Sequence, residues 1–173
     1  MTPNLSDADV VAGAEAVVID PACGAADLAH VRALFREYQE WLGVDLCFQG
    51  FDDELRGLPG RYAPPRGRLL LARAGSAVAG GVGMWLLSDT VCEMKRLYVR
   101  PPWRGLGLGR RLARAIVAES RNASFAHMRL DTLARLEAAR ALYASMGFIE
   151  IPAYYDNPLD GVLFMELRLA DSA

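Results

Sequence analysis

The chain has 173 residues, 53% of them apolar and 23% charged, with a formal net charge of −2. That is the balance of one soluble globular domain, long enough to bury roughly 70% of its unfolded surface without disulfide staples. Bulk nucleic-acid binding is not indicated by this charge, and no run approaches the ~18 apolar residues of a membrane span. Met1 to Ala16 carries no Lys or Arg, so the basic start of a secretory signal is missing. Cys23, Cys47 and Cys92 form no close pair, as expected of a reduced cytoplasmic protein with neither a disulfide framework nor a zinc site.

Residues 1 to 14 have the character of a loose arm, and residues 15 to 173 of a single domain. Glu15 to Asp20 suits a strand, closed by Pro21. From Asp27 to Leu42 the residues Leu28, Val31, Leu34, Phe35, Tyr38, Trp41 and Leu42 follow the helical period, and Gly43 supplies a stop. A short helix is expected from an Asp52 cap to Leu58. Arg61 to Gly67 is too rich in Pro and Gly for more than an ordered loop. Three strands follow, Arg68 to Ala74, Val78 to Leu87 and Val91 to Val99, joined by tight turns into an antiparallel meander. Next come a helix from about Leu108 to Arg121, a strand from His127 to Thr132, and a helix from Leu136 to Met146 stopped by Gly147. Phe148 to Ile151 and Val162 to Leu169 are the last strands. Strand–helix–strand from Val91 to Thr132 implies a parallel crossover. The fold class is α/β, or α+β on stricter usage. It has a mixed central sheet of about seven strands and four helices, in the order strand, two helices, three strands, helix, strand, helix, two strands.

Charge is unevenly placed. Met94 to Ala118 has no Asp or Glu but holds Lys95, Arg96, Arg100, Arg104, Arg110, Arg111 and Arg114. Such an island suggests one anionic ligand held at one place. Within it runs Trp103-Arg104-Gly105-Leu106-Gly107-Leu108-Gly109-Arg110-Arg111. Alternate glycines let the backbone approach a ligand, and the turn opens a helix whose first N–H groups lack partners. Those donors and the positive helix end favour a phosphate or diphosphate. A Walker loop is excluded because Gly109 is followed by Arg110-Arg111. A dinucleotide fingerprint is excluded because its last glycine would fall on Leu112.

The string Arg104-x-x-Gly107-x-Gly109 resembles the Q/R-x-x-G-x-G/A signature of the GNAT N-acetyltransferases, a family that binds the diphosphate of acetyl-coenzyme A on this turn. The strand Glu93 to Val99 resembles the family's central acetyl-CoA strand. Ala141-Leu142-Tyr143-Ala144-Ser145-Met146-Gly147-Phe148 resembles its A-x-x-L-Y-x-x-x-G-F segment. The resemblance runs from about Arg68 to Leu169, while residues 1 to 67 resemble the variable acceptor-binding half only loosely. It points to a bacterial small-molecule branch, and implies acetyl-CoA as co-substrate and no metal. The implied coenzyme-binding residues are Leu97, Tyr98, Val99, Arg104, Gly105, Leu106, Gly107, Leu108, Gly109 and Arg110. One departure is Leu136, which stands where many members have a coenzyme-contacting Asn.

Acetyl transfer to an amine needs a held thioester, a deprotonated amine, a stabilised oxyanion and a proton for the leaving thiolate. The resemblance gives the last task to Tyr143, although its spacing alone favours a core position. Glu93 and Asp131 are the two candidate bases, Glu93 preferred. Strand alternation would place Met94, Arg96 and Tyr98 on one face and Glu93, Lys95, Leu97 and Val99 on the other. Both carboxylates are expected near the C-terminal ends of parallel strands. His30 and His127 have no partners at metal-ligand spacing. For the acceptor, Arg36, Tyr38, Arg61, Tyr62, Tyr154, Tyr155 and Asn157 could hold a small amine bearing a carboxylate. The expected partner is thus a small-molecule amine, with neither nucleic acid nor membrane, and with room for a homodimer. Three other readings stay open: a silent acyl-CoA sensor, an acetyltransferase for a protein amine, and a nucleotide-binding regulator.

Overall fold

Alternation along Arg68–Ala74 (β2) sets the two faces of the sheet. Leu70 and Ala72 point to one apolar cluster, Leu69 and Leu71 to the other. The computed structural model describes residues 16–169, so the arm expected over residues 1–14 lies outside them. The remaining strands are β1 (Val18–Pro21), β3 (Ala77–Ser88), β4 (Val91–Val99), β5 (His127–Leu133), β6 (Ile149–Ile151) and β7 (Val162–Arg168). The helices are α1 (Gly24–Leu42), α2 (Phe51–Arg56), α3 (Leu108–Asn122) and α4 (Glu137–Ser145). Seven strands lie in the order β1-β2-β3-β4-β5-β7-β6. Among the described residues only β4 and β5 pair in parallel. Helices α1 and α2 cover one face with Val31, Leu34, Phe35, Phe51 and Leu55. Helices α3 and α4 cover the other with Leu108, Leu112, Ile116 and Tyr143. No described helix is long and apolar enough to cross a membrane.

Element types and order match the sequence reading, but boundaries moved for local reasons. Helix α1 begins at Gly24, not Asp27, because the Asp27 carboxylate reaches back to the Cys23 N–H at 2.8 Å. Asp52 does not cap α2. That helix starts at Phe51 after Gly50, which takes φ 70° with no side-chain cap. Pro21 lies inside β1, tolerated because β1 is an edge strand. Gly83 of β3 is required by packing: a Cβ there would stand 2.6 Å from the Tyr62 ring.

The departure that matters most for the site is in β4. Its register with β3 shifts between the pairs Gly81–Tyr98 and Gly83–Lys95, and Arg96 takes φ 58°. This is a β-bulge. It corrects the expected alternation. Met94, Leu97 and Val99 pack on the α3 face. Glu93, Lys95, Arg96 and Tyr98 all reach partners on the α1–α2 side.

Candidate active site

Parallel pairing of β4 with β5 covers Val91–His127, Cys92–Met128 and Glu93–Arg129, then ends. Beyond it the strands fork. The edge of β4 from Met94 to Val99 has no partner strand on the β5 side among the described residues, although β3 pairs its other edge. Unpaired strand groups are ready to bond an extended ligand. Glu93 therefore stands at the fork and not near the C-terminal end of its strand, where it was expected. Asp131, two positions past the last pair, does lie in the second half of β5.

A cavity of about 40 Å³ fills the fork, lined by Tyr38, Met94, Lys95, Arg96, Asp131 and Leu136 among others. A cleft of about 270 Å³ lies beside it, lined by Gln49, Trp85, Glu93, Lys95, Tyr154 and Tyr155 among others. Gln49 and Lys95 border both. The Lys95 ammonium donates to Glu93 Oε1 at 2.7 Å and lies 3.6 Å from Asp131 Oδ1. Asp131 Oδ2 accepts from the Tyr155 hydroxyl at 3.0 Å, and the Tyr155 oxygen in turn accepts from Gln49 Nε2 and Asn157 Nδ2. Gln49 Oε1 accepts from Arg96, which also donates to Glu54 at 2.9 and 3.3 Å. Both predicted carboxylates thus share one cation, itself only 6% exposed.

The turn before α3 has the form its glycines suggested. Gly105 and Gly107 take φ 77° and 75°, and Gly107 is the N-cap of α3. A helical bond runs from Arg111 N–H to Gly107 O. The N–H groups of Leu108, Gly109 and Arg110 precede it, have no backbone partner among the described residues, and can bond an anion. Leu106 is 70% exposed, whereas the side chains of Leu108, Leu97, Val99 and Tyr98 are packed, so these four offer only backbone. Arg110 donates to Ser145 Oγ at 2.9 Å, linking α3 to α4. Arg104 donates to Val99 O at 2.8 Å and lies over Trp41 and Tyr98.

Tyr143 is buried in the α3–α4 cluster beside Phe148. Burial first, then the nearby Tyr38 and Asp131 charges, raise its hydroxyl well above the usual tyrosine value. The other acceptor candidates divide. Tyr38 borders the fork cavity, while Tyr154 and Tyr155 border the cleft. Asn157 holds Tyr155 instead of facing the cleft. Tyr62 is a core residue stacked on Trp85 and donating to Glu54. Arg36 lines a separate groove with Arg32 and Arg56. Sequence reasoning missed Gln49 and Trp85, which come from segments without a motif. It drew no function from Lys95, whose place two residues after Glu93 on one strand was the available sign.

Burial pushes the Tyr38 hydroxyl up to about 12, and raises Tyr62, Tyr143, Tyr154 and Tyr155 also. An unfolded tyrosine ionises near ~10. Below that pH both states keep the proton and these groups leave stability unchanged. Above it the unfolded chain releases protons that the folded chain retains, so stability falls. The thermal midpoint is expected to begin falling at about pH 9, where the unfolded Cys92 thiol ionises while burial holds the folded thiol protonated, and to drop more steeply beyond about 10. The tyrosinate absorbance of these five groups should appear with unfolding, not before it.

The profile described as the Acetyltransferase (GNAT) family matches residues 28–148. The chain belongs to the GNAT acetyltransferase family. It is an N-acetyltransferase. An uncharacterized N-acetyltransferase of Schizosaccharomyces pombe is 41% identical, covering 83% of this chain and 90% of its own length. The fold is similar to that of an acetyltransferase from Streptococcus agalactiae, with TM-score 0.73 and 20% identity over 88% of this chain and 98% of that one. It is also similar to a putative acetyltransferase from Salmonella typhimurium, solved with its cofactor acetyl-CoA. That match has TM-score 0.68 and 22% identity over 91% of this chain and 97% of the other. The GNAT match begins inside α1, so it reaches well into the half whose sequence resemblance was loose.

Proposed function

We propose that this GNAT protein transfers an acetyl group from acetyl-CoA to the amine of a small molecule by direct attack on the thioester. The observation that carries this reading is the pair of carboxylates on Lys95 at the fork, between an unpaired strand edge and an aromatic cleft. The α3 turn fits the diphosphate, since its glycines keep the backbone open and its helix donors are free. Met94 to Val99 fit the pantetheine arm through their free edge. When bound, acetyl-CoA supplies an activated acyl group.

The acceptor amine forms its N–C bond as the C–S bond breaks and the electron pair leaves with sulfur. Glu93, bordering the cleft, takes the amine proton, and Asp131 shares the task of balancing Lys95. Tyr143, kept protonated by burial, gives a proton to sulfur. A backbone N–H of β4 aimed at the carbonyl would contribute roughly 3 kcal/mol to the oxyanion. The deciding experiment is thiol release from acetyl-CoA across a panel of small amines and amino acids. Turnover of small amines is expected. Acetylation of a ribosomal-protein or histone tail with none across the panel would sink the reading.

The turn gives a separate prediction. A Cβ at Gly107 would meet no atom within 4 Å among the described residues beyond its chain neighbours. Gly107→Val does force a branched side chain into φ 75°, costing about 1–2 kcal/mol, and fills the space above the α3 donors. Calorimetry should show a folded variant with coenzyme A affinity reduced at least about tenfold, equivalent to 1.4 kcal/mol. Unchanged affinity would remove the turn from the coenzyme site.

A further inference from the structure

The 270 Å³ cleft carries chemistry that acetyl transfer alone does not require. Trp85 of β3, covered by Arg61, and Tyr154 and Tyr155 from the loop before β7 line it. Phe48 and Leu87 also line it, 39% and 37% exposed. Large apolar side chains open to water at a cavity rim suit an apolar body of ligand. The volume is at the small end for ligand cavities, which suits a compact molecule.

The cations around this cleft are not equivalent. Lys95 faces Glu93 and Asp131, Arg96 faces Glu54, and Arg129 faces Glu166. Arg61 has no carboxylate partner among the described residues. Its guanidinium carbon sits 3.7 Å from the Trp85 ring centroid, and one nitrogen donates to Leu86 O at 3.2 Å. Stacking on the indole holds the group flat, with further donors available. A flat guanidinium with open donors matches a carboxylate in two-point contact. Glu93, the group that would take the amine proton, lines the same cleft.

We propose that the cleft selects an amine with a flat apolar body and a carboxylate. The carboxylate rests on Arg61 above Trp85, the body lies against Phe48, Leu87 and the Tyr154–Tyr155 pair, and the amine points to Glu93. This rests on the acetyl-transfer reading above. The competing occupant is a diamine with its second ammonium at Asp156, which also lines the cleft.

Thiol release from acetyl-CoA tests the proposal with phenylalanine and tryptophan beside phenethylamine and tryptamine, and with glycine and putrescine as controls. The carboxylated partner of each pair should be preferred about 10- to 100-fold in kcat/KM, the range for a hydrogen-bonded charge. Arg61→Gln should collapse that preference, and Arg61→Lys, which keeps the charge, should retain part of it. Preference for the decarboxylated partner, for putrescine, or for glycine over phenylalanine overturns the proposal. So does a preference that survives Arg61→Gln in a folded variant. If no amine releases thiol, calorimetry with phenylalanine and tryptophan in the presence of coenzyme A separates the two readings. Binding that Arg61→Gln abolishes keeps the site and overturns the transfer reading. Absence of binding overturns the site.

Discussion

Tyr143→Phe is expected to lower kcat by about 10²–10⁴-fold, the range for loss of a positioned proton donor. Phe keeps the ring against Phe148 and the α3–α4 cluster, so the thermal midpoint should move little. Acetyl-CoA affinity should also change little, because one O–H is lost and no charge. The measurements are kcat on the acceptor found by the panel and the thermal midpoint of the same variant. Near-normal kcat, with the chemical step shown to limit turnover, would return Tyr143 to a packing role. Burial raises its hydroxyl far above neutral, so the group stays protonated across the usable pH range and adds no ionisation of its own there.

The largest stability effect is expected at Arg96. Its side chain is 3% exposed and that of Glu54 is 7% exposed, with donation to Glu54 at 2.9 and 3.3 Å and to Gln49 at 2.9 Å. Arg96→Met leaves Glu54 buried without its cation, which costs about 3–5 kcal/mol. At this chain length that lowers the thermal midpoint by roughly 10 °C. Adding Glu54→Gln removes the stranded charge and should recover part of the loss, because the Tyr62 hydroxyl can still bond the side chain at that position. A single variant within about 2 °C of the parent would mean that the pair contributes little.

How much the sequence disclosed differs along the chain. Strands β2 and β4 and the α3 start were legible to the residue, because short apolar runs bounded by turn residues and glycine-rich turns are local codes. The glycine turn that opens α3 was legible for the same reason. The bulge at Arg96 was not. It depends on how β4 pairs with β3, and no residue of Glu93 to Val99 announces it. Nor was the fork. The gap that opens after Glu93–Arg129 is lined from α1 and the β6–β7 loop, segments far from β4 and from each other in the sequence. Arg36 and Tyr62 looked alike as acceptor candidates because composition carries no direction. Packing sends one to an outer groove and the other to the core. Gln49 was invisible because its role arises only when Tyr155, 106 positions away, arrives beside it.

Lys95 is the sole lysine of the chain, and it is buried in mid-strand. A lysine-specific protease therefore has one target. That bond becomes accessible only when β4 leaves both β3 and the aromatic shelf of Trp85. Cleavage yields a single pair of fragments, and where reclosing outpaces cutting its rate follows the population of that opened sheet. The proton balance at the fork has thus left the molecule with a built-in reporter of its central strand, readable on a gel without a label or an engineered site.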